Sequence, residues 1–344
     1  MTVTVKTLAQ AAGVSRGTVD RVLHNRGSVK KELELKIKTL AKELGYVPNR
    51  AGRALSGVKD RYKIGILLPS VGNAFFEGVI EGIDAAIREY EELGVDVIVK
   101  KVQGYNEQVH LAAIDELKKL NCAALCVATM DTKAVADKLN ECQNLGIKII
   151  LLNSDVTEVK KICYVGSDYL KAGKTCAGLL ALIAKQSPLN ILVVTGSNYM
   201  CGHRQRIEGF KNELSSLKVD FNICAQIESN DSDIIAQIET SKYLNDHQNI
   251  NCVYVTGAGV QGVGAAIIAT NRQDIIGIAF DDIYTTVEMV RAGIFKFVVC
   301  QQPDRQGYHA VKRAYQLLSG TVNEQMMTDF YTDTIIKIAS NIGK

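Results

Sequence analysis

The chain has 344 residues, of which 47% are hydrophobic and 22% charged. This length predicts two or three globular domains with sizeable cores. No apolar run approaches the ~18 residues of a membrane helix, and the first residues lack the apolar region of a secretory signal, so we expect a cytoplasmic protein without membrane contact. The nine cysteines are scattered without zinc spacing, which predicts reduced, mostly buried thiols and no metal site.

The charge is unevenly distributed along the chain. Residues 1–60 contain 12 of the 40 Lys and Arg side chains and 5 of the 37 Asp and Glu side chains, a formal charge of +7, whereas the remaining residues carry −4. A basic N-terminal segment on an acidic body indicates a polyanionic partner for that segment alone. A solvated basic surface would give the same charge, so the choice between the two depends on the helices in this segment.

Two short helices separated by a glycine turn are predicted near the N-terminus. The first opens at Thr4 or Val5, Gly13 gives the turn its backbone freedom, and Ser15 is a natural N-cap for the second helix. A third helix at about residues 30–44 has the apolar spacing of a packed helix. This is the layout of a helix-turn-helix, whose second helix enters the major groove of DNA.

The second predicted helix has one apolar and one polar face. Val19, Val22 and Leu23 face inward, which leaves Arg16 and Arg21 directed outward. Each of these arginines can make a forked contact with a guanine or with a phosphate. The sequence therefore predicts double-stranded DNA as a partner.

The segment that follows the third helix leads through Pro48 into a short run of helix formers at 51–56. This arrangement resembles the lactose/galactose repressor family of bacterial transcription regulators. In that family two hinge helices pair in the dimer, and a leucine from each wedges into the minor groove and kinks the duplex. Leu55 holds that position here. The resemblance implies a homodimer on a pseudo-palindromic operator, with domains at 1–46 (the head), 47–61 (hinge helix and linker) and 62–344 (the body).

The resemblance also implies a set of DNA-binding residues in the head and hinge. The chain departs from the family's usual residues at Asp20, at His24 in place of Asn, and at Gly52 in place of Ala. The implied DNA contacts are Val5, Ser15, Arg16, Gly17, Thr18, Arg21, His24, Asn49, Gly52 and Leu55.

In the body, short apolar runs alternate with amphipathic segments. Such alternation predicts an α/β fold with parallel sheets flanked by helices, and ten strands predict two lobes rather than one sheet. The predicted strands are 63–69, 96–102, 123–128, 148–152, 162–165, 191–195, 221–226, 252–255, 275–279 and 297–301, and helices include 75–92, 132–144, 204–217 and 303–318.

The segments that follow the predicted strands are rich in aromatic, amide, carboxylate and arginine side chains. Ligands of open α/β sheets bind beyond the carboxyl ends of the strands. Rings cover the apolar faces of a sugar, and each hydroxyl both donates and accepts, so this set suits a polyhydroxyl ligand. The order of these segments resembles the periplasmic sugar-binding proteins. The resemblance implies that a sugar or sugar-like effector contacts Asn73, Phe75, Phe76, Asn153, Arg206, Asp281 and Gln301.

A competing motif lies in the second half of the body. The run from Gly257 through Gly259 to Gly262 is a G-x-G-x-x-G between a predicted strand and a predicted helix, and Asp281 and Asp282 follow some twenty residues later. That spacing is typical of a dinucleotide site. The alternative is therefore an NAD-dependent enzyme or a redox-sensing regulator. No other catalytic pattern is present, and we expect a ligand-controlled repressor that is not an enzyme and needs no cofactor.

A third hypothesis is a sugar-binding protein of a transporter. The basic head and the expected lack of a secretory signal count against it, because a transporter protein of this kind acts outside the cytoplasm and has no need of DNA affinity.

Overall fold

The computed structural model describes residues 3–23, 29–44, 61–185 and 187–343. In the head it contains three helices. The predicted starts of all three helices and the predicted end of the third agree with the structure to within one residue. The helices are α1 Val5–Ala12, α2 Arg16–Leu23 and α3 Lys31–Glu43.

The caps of the head are those predicted from the sequence. The Thr4 side chain accepts a hydrogen bond from the Thr7 N–H, and Gly13 ends α1 in the left-handed conformation, with a φ of 72°. The Ser15 hydroxyl accepts from the Thr18 N–H at 3.1 Å, which confirms it as the cap of α2. The three helices bury one small apolar core that contains Leu8, Ala9, Ala12, Val19, Val22 and Ile37.

The body contains two six-stranded sheets, one in each lobe, as the ten predicted strands required. In both lobes the strands are parallel, except that the last strand of the second sheet runs antiparallel to its neighbour. The first lobe contains β1 Tyr62–Val71, β2 Val95–Gln103, β3 Ala124–Val127, β4 Lys148–Leu152, β5 Cys163–Ser167 and β11 Phe330–Thr332, in the order β11-β5-β4-β3-β1-β2. The second contains β6 Leu189–Thr195, β7 Phe221–Glu228, β8 Cys252–Val255, β9 Ile276–Phe280, β10 Phe295–Cys300 and β12 Ile335–Lys337, in the order β12-β10-β9-β8-β6-β7.

Helices cover both faces of each sheet and pack closely against one another. The helices of the body are α4 Phe75–Tyr90, α5 Glu107–Lys119, α6 Lys133–Asn144, α7 Tyr169–Ile183, α8 Cys201–Ser216, α9 Asp233–Asp246, α10 Val260–Ala269, α11 Tyr284–Arg291 and α12 Pro303–Leu318. Helices α4 and α12 approach closely at Gly82 and Gly307, where an added Cβ would overlap the backbone of the other helix.

The chain passes between the lobes three times: after β5, after β10 and between β11 and β12. All ten predicted strands are confirmed to within two residues at each end, whereas β11 and β12 were not predicted. The three crossings bring the carboxyl ends of β4, β9 and β10 to the junction of the two lobes, and this is what positions the site described below.

Three further predictions concern the chemistry of the chain. Eight of the nine cysteines are buried, all nine are free thiols, and Cys224 on β7 is the exposed one. Within the described ranges there is no cluster of three side chains able to hold a metal ion. None of the described helices is long and apolar enough to cross a membrane.

Candidate functional site

A cleft between the two lobes contains all seven side chains predicted to contact an effector. Four come from the first lobe, at the start of α4 and after β4, and three come from the second lobe, on α8 and after β9 and β10. They are Asn73, Phe75, Phe76 and Asn153 of the first lobe, and Arg206, Asp281 and Gln301 of the second. The rule that ligands bind beyond the carboxyl ends of parallel strands and the resemblance to the periplasmic sugar-binding proteins together predicted the residues of this cleft.

Arg206 is the charged centre of this cleft and is only 4% exposed. Its Nη1 donates to the carbonyl of Thr256 at 2.7 Å. Its guanidinium lies over the ring of Phe280, 3.7 Å from the centroid, and 4.8 Å from the centroid of Tyr169. Its Nε and Nη2 have no hydrogen-bond partner among the described residues. A buried cation with an unsatisfied edge is costly unless a further group accepts from it.

Asp281 supplies the complementary acceptor. Its Oδ2 accepts from the Gln301 amide at 2.8 Å, whereas its buried Oδ1 has no partner in the described part of the chain. Burial raises the pKa of Asp281 to about 6, against the opposing effect of Arg206. The cleft thus offers two free donors and one free acceptor, and this is the pattern that vicinal hydroxyl groups satisfy.

The two predicted amides deeper in the cleft are already hydrogen-bonded. Asn153 donates to the Gln306 side chain at 3.0 Å, and Gln306 donates to the Gln301 carbonyl at 2.9 Å. The Oε1 of Gln301 accepts from the Tyr169 hydroxyl at 2.9 Å. This network fixes the orientation of Asp281 through Gln301. Sequence reasoning missed Tyr169 and Gln306 because each lies on a helix, just beyond one of the crossings between the lobes.

The aromatic wall of the cleft is formed by Phe75 and Phe76. Their rings meet edge to face, with centroids 5.2 Å apart. Phe76 also packs into the core of the first lobe, and this anchors the start of α4. The wall is therefore rigid where a sugar face would lie.

Direct contacts join the two lobes across the mouth of the cleft. Asn73 donates to Asp231 at 2.9 Å, and the Tyr105 hydroxyl also donates to this carboxylate. At the rim, Asp131 of the first lobe forms an ion pair with Arg204 of the second. None of these contacts was predicted: Asn73 was expected to contact an effector, and in the structure its amide donates to Asp231. The strand-end rule could have found Asp231, since it follows β7 directly.

The glycine-rich motif has a structural role, because two of its N–H groups are hydrogen-bonded within the chain. The N–H of Ala258 donates to Asp231 at 3.0 Å, and the N–H of Gly262 donates to Asp233, also at 3.0 Å. A Cβ on Gly262 would overlap the backbone of Asp233, so this glycine permits close packing of α9 and α10. Carboxylates of the chain itself thus occupy two of the N–H groups that a phosphate would need. The nucleotide alternative therefore has no support.

In the head, the outward face of α2 is accessible as predicted. Arg16, Gly17 and Arg21 are exposed, Thr18 is half-buried, and the Arg21 Nε donates to the Gly17 carbonyl at 3.1 Å. Val5 is half-buried against the head core rather than free on the surface. The remaining predicted contacts, at His24, Asn49, Gly52 and Leu55, lie outside the described residues.

Comparison with known proteins identifies both parts of the chain. Residues 64–321 match the model of a periplasmic binding protein domain, and residues 4–49 match that of the bacterial regulatory proteins, lacI family. The solved glucose-galactose binding protein GanP of Geobacillus stearothermophilus covers 82% of this chain and 99% of its own, with a TM-score of 0.75 and 22% identity. A likeness at this identity shows the fold of the body.

Curated relatives include regulators from two bacteria. The HTH-type transcriptional regulator DegA of Bacillus subtilis is 25% identical over 220 residues, 64% of this chain and 63% of that protein. The sucrose operon repressor of Streptococcus mutans is 27% identical over 218 residues, 62% of each chain. The matches thus span a little less than two thirds of each relative. The chain therefore belongs, through its body, to the family of periplasmic binding protein domains, and its head matches the lacI family of bacterial regulatory proteins.

Proposed function

We propose that the protein is a transcriptional repressor that binds a DNA operator through its head and responds to a sugar or sugar derivative in the interlobe cleft. The observation that carries this proposal is that Arg206 and Asp281 of the second lobe both have buried polar atoms without a partner among the described residues, in the cleft between the two lobes. The proposed domains are those predicted above: head 1–46, hinge 47–61 and body 62–344. The protein would act in the bacterial cytoplasm, where its operator lies, and it would not be an enzyme.

The proposed mechanism is a shift between lobe arrangements. An effector that bonds to Arg206 and Asp281 from one lobe and packs on Phe75 from the other binds the closed arrangement more tightly than the open one. By linkage, it shifts the population toward the closed arrangement. The hinge segment 47–61 continues directly into β1, so a change in lobe arrangement would order or melt the hinge and thereby alter operator affinity.

The function can be tested by mapping the DNA that the protein binds across a genome and by measuring thermal shifts with a panel of sugars and with NAD(H). We expect specific DNA sites with two inverted half-sites, and a stabilising sugar. A shift with NAD(H) and with no sugar would contradict the proposal.

We also propose a homodimer that matches the two half-sites of a pseudo-palindromic operator. Helix α9 supports this idea, because part of its solvent-facing side is apolar. Its inner face buries Ala236 and Leu244, while Ile234 and Ile238, one turn apart, are 71% and 60% exposed. An exposed apolar patch of this kind marks an interaction surface, and a second copy of the chain would cover it.

Replacing Ile238 with Glu is therefore expected to convert the dimer into a monomer, because the new charge would be buried without a partner. Analytical ultracentrifugation measures the mass directly. Leu182→Glu is the matched control: Leu182 is 83% exposed on α7, on another surface of the same lobe. Dissociation by Leu182→Glu with no effect of Ile238→Glu would assign the dimer to the α7 surface instead.

For the head, we expect Arg16→Ala to weaken specific operator binding by ~1–3 kcal/mol if Arg16 contacts a guanine. Gel-shift titration against an operator selected in vitro with the native protein provides the measurement, and Arg21→Ala is tested in parallel. Lys38→Ala removes one positive charge from α3, where Lys38 pairs with Glu34, and controls for the general loss of charge. Unchanged affinity in both arginine variants would contradict the assignment of α2 as the recognition helix.

A further inference from the structure

Asp231 places a negative charge at the mouth of the cleft, directly behind the lining residues Asn73, Tyr105 and Ala258. Its Oδ2 accepts from Asn73 at 2.9 Å and from Tyr105, both on the first lobe, and its Oδ1 accepts from the Ala258 N–H at 3.0 Å. Burial and the neighbouring carboxylate raise the pKa of Tyr105, so its hydroxyl stays protonated and donates. All three donors are uncharged, so they orient the carboxylate without neutralising it.

The surrounding backbone is shaped around this carboxylate. Asn230 and Asp231 both adopt left-handed conformations, with φ of 51° and 58°, which non-glycine residues rarely adopt. A Cβ at Gly196 would overlap the Asp231 Oδ1, and one at Gly257 would lie 3.1 Å from it. The left-handed backbone at 230–231 and the space left by Gly196 and Gly257 together fix the position of the Asp231 carboxylate.

The remaining charges of the cleft do not compensate for Asp231. Among the described residues that line it, Arg206 is the one permanent cation, and Asp281 already opposes it. Burial lowers the pKa of His203, against the opposing effect of Asp231, and thereby favours the neutral imidazole. The N–H of Ala258 at the start of α10, which would otherwise attract a phosphate, is bonded to Asp231.

We infer that Asp231 selects the charge of the effector: the cleft accepts an uncharged or cationic polyol and rejects the phosphorylated or carboxylated form of the same molecule. A bound phosphate or carboxylate would be buried with two like charges against a single arginine, which disfavours the anion specifically. This inference rests on the proposed sugar-responsive function and narrows the class of its effector.

The test uses the full-length protein and matched probes at pH 7.5. The pairs are D-ribose with D-ribose 5-phosphate, D-glucose with D-glucose 6-phosphate, D-galactose with D-galacturonate, and D-sorbitol with D-gluconate, with D-glucosamine as the cationic probe. Isothermal titration calorimetry and thermal shift measure binding. In any pair that binds, we expect the uncharged member to bind at least tenfold more tightly than the anionic member.

Asp231→Asn tests the residue itself, since it keeps the shape of the side chain and an oxygen for the Ala258 N–H. We expect this variant to reduce the ratio between the affinities for the uncharged and the anionic member of a pair at least fivefold. Asp233→Asn is the matched control, because Asp233 bonds to Gly262 behind the cleft, and it is expected to leave discrimination unchanged. If Asp231→Asn does not fold, as judged by circular dichroism, Asp231→Gly replaces it, because glycine tolerates the left-handed backbone.

Tighter binding of an anionic probe by the native protein would overturn the inference and leave the sugar-responsive function intact. Unchanged discrimination in the Asp231 variant would also overturn it. If no probe of either charge binds, the proposed sugar effector and this inference are both wrong.

Discussion

Arg206→Met is expected to abolish the effector response while operator binding in the absence of effector survives. The substitution keeps an apolar stem beside Phe280 and removes the two N–H donors that have no partner among the described residues. Charge-assisted hydrogen bonds are worth about 1.5–3 kcal/mol each, so the loss of both predicts at least a hundredfold lower affinity. Ligand-induced thermal shift, measured beside operator affinity, separates the two functions, because the helices of the head bury a core of their own.

Lys211→Met is the matched control for this experiment. It removes a positive charge from the same helix, α8, at a residue that does not line the cleft. We expect it to leave the effector response unchanged. A normal response in Arg206→Met would show that Arg206 is outside the effector site.

Asp281→Asn is expected to stabilise the protein above pH 6. The pKa of Asp281 is raised from 3.8 to about 6 by burial, so the folded state holds this proton more tightly than the unfolded chain does. Stability from this residue is therefore present below pH 4 and is lost as the pH rises through 6, at a cost of at most about 3 kcal/mol. The Asn side chain can still accept from Gln301 while avoiding that cost.

Urea unfolding at pH 4.5 and pH 7.5 measures this effect. We expect the variant to gain stability at pH 7.5 and to approach the native protein at pH 4.5. Asp282→Asn is the control, since Asp282 pairs with Lys337 outside the cleft, and it is expected to give no gain. A variant that is less stable than the native protein at pH 7.5 would contradict this account of Asp281.

The same titration predicts a pH-dependent effector affinity. Protonation of Asp281 removes an acceptor from the cleft, so the affinity of the native protein should fall as the pH drops from 7 to 5. Asp281→Asn should bind the effector at least tenfold more weakly and without this pH dependence. Calorimetric titrations at three pH values measure this dependence. A native affinity that does not change with pH would exclude Asp281 as the acceptor.

Much of the fold follows from local signals in the sequence. Capping by Ser15 and the left-handed Gly13 depend on neighbours within a few residues, so the ends of α1 and α2 were predictable. The apolar runs of the ten strands were predictable for the same reason. Because parallel strands bring their carboxyl ends to one edge of a sheet, residues as distant as Asn73 and Gln301 could be assigned to one cleft before their contacts were known.

The tertiary structure alone decided how those residues are used. Strand β11 is three residues long, and its pairing with β5 joins Phe330 to Val165; so short a segment carries no periodicity to detect. The sequence showed the glycine-rich motif but not that the Asp231 and Asp233 carboxylates accept from two of its N–H groups. The bond from Asn73 to Asp231 spans 158 positions. Such a contact depends on how the two lobes meet. Local sequence determined which groups reach the cleft. Only the packing of the lobes decided which of these groups remain free to bind a ligand.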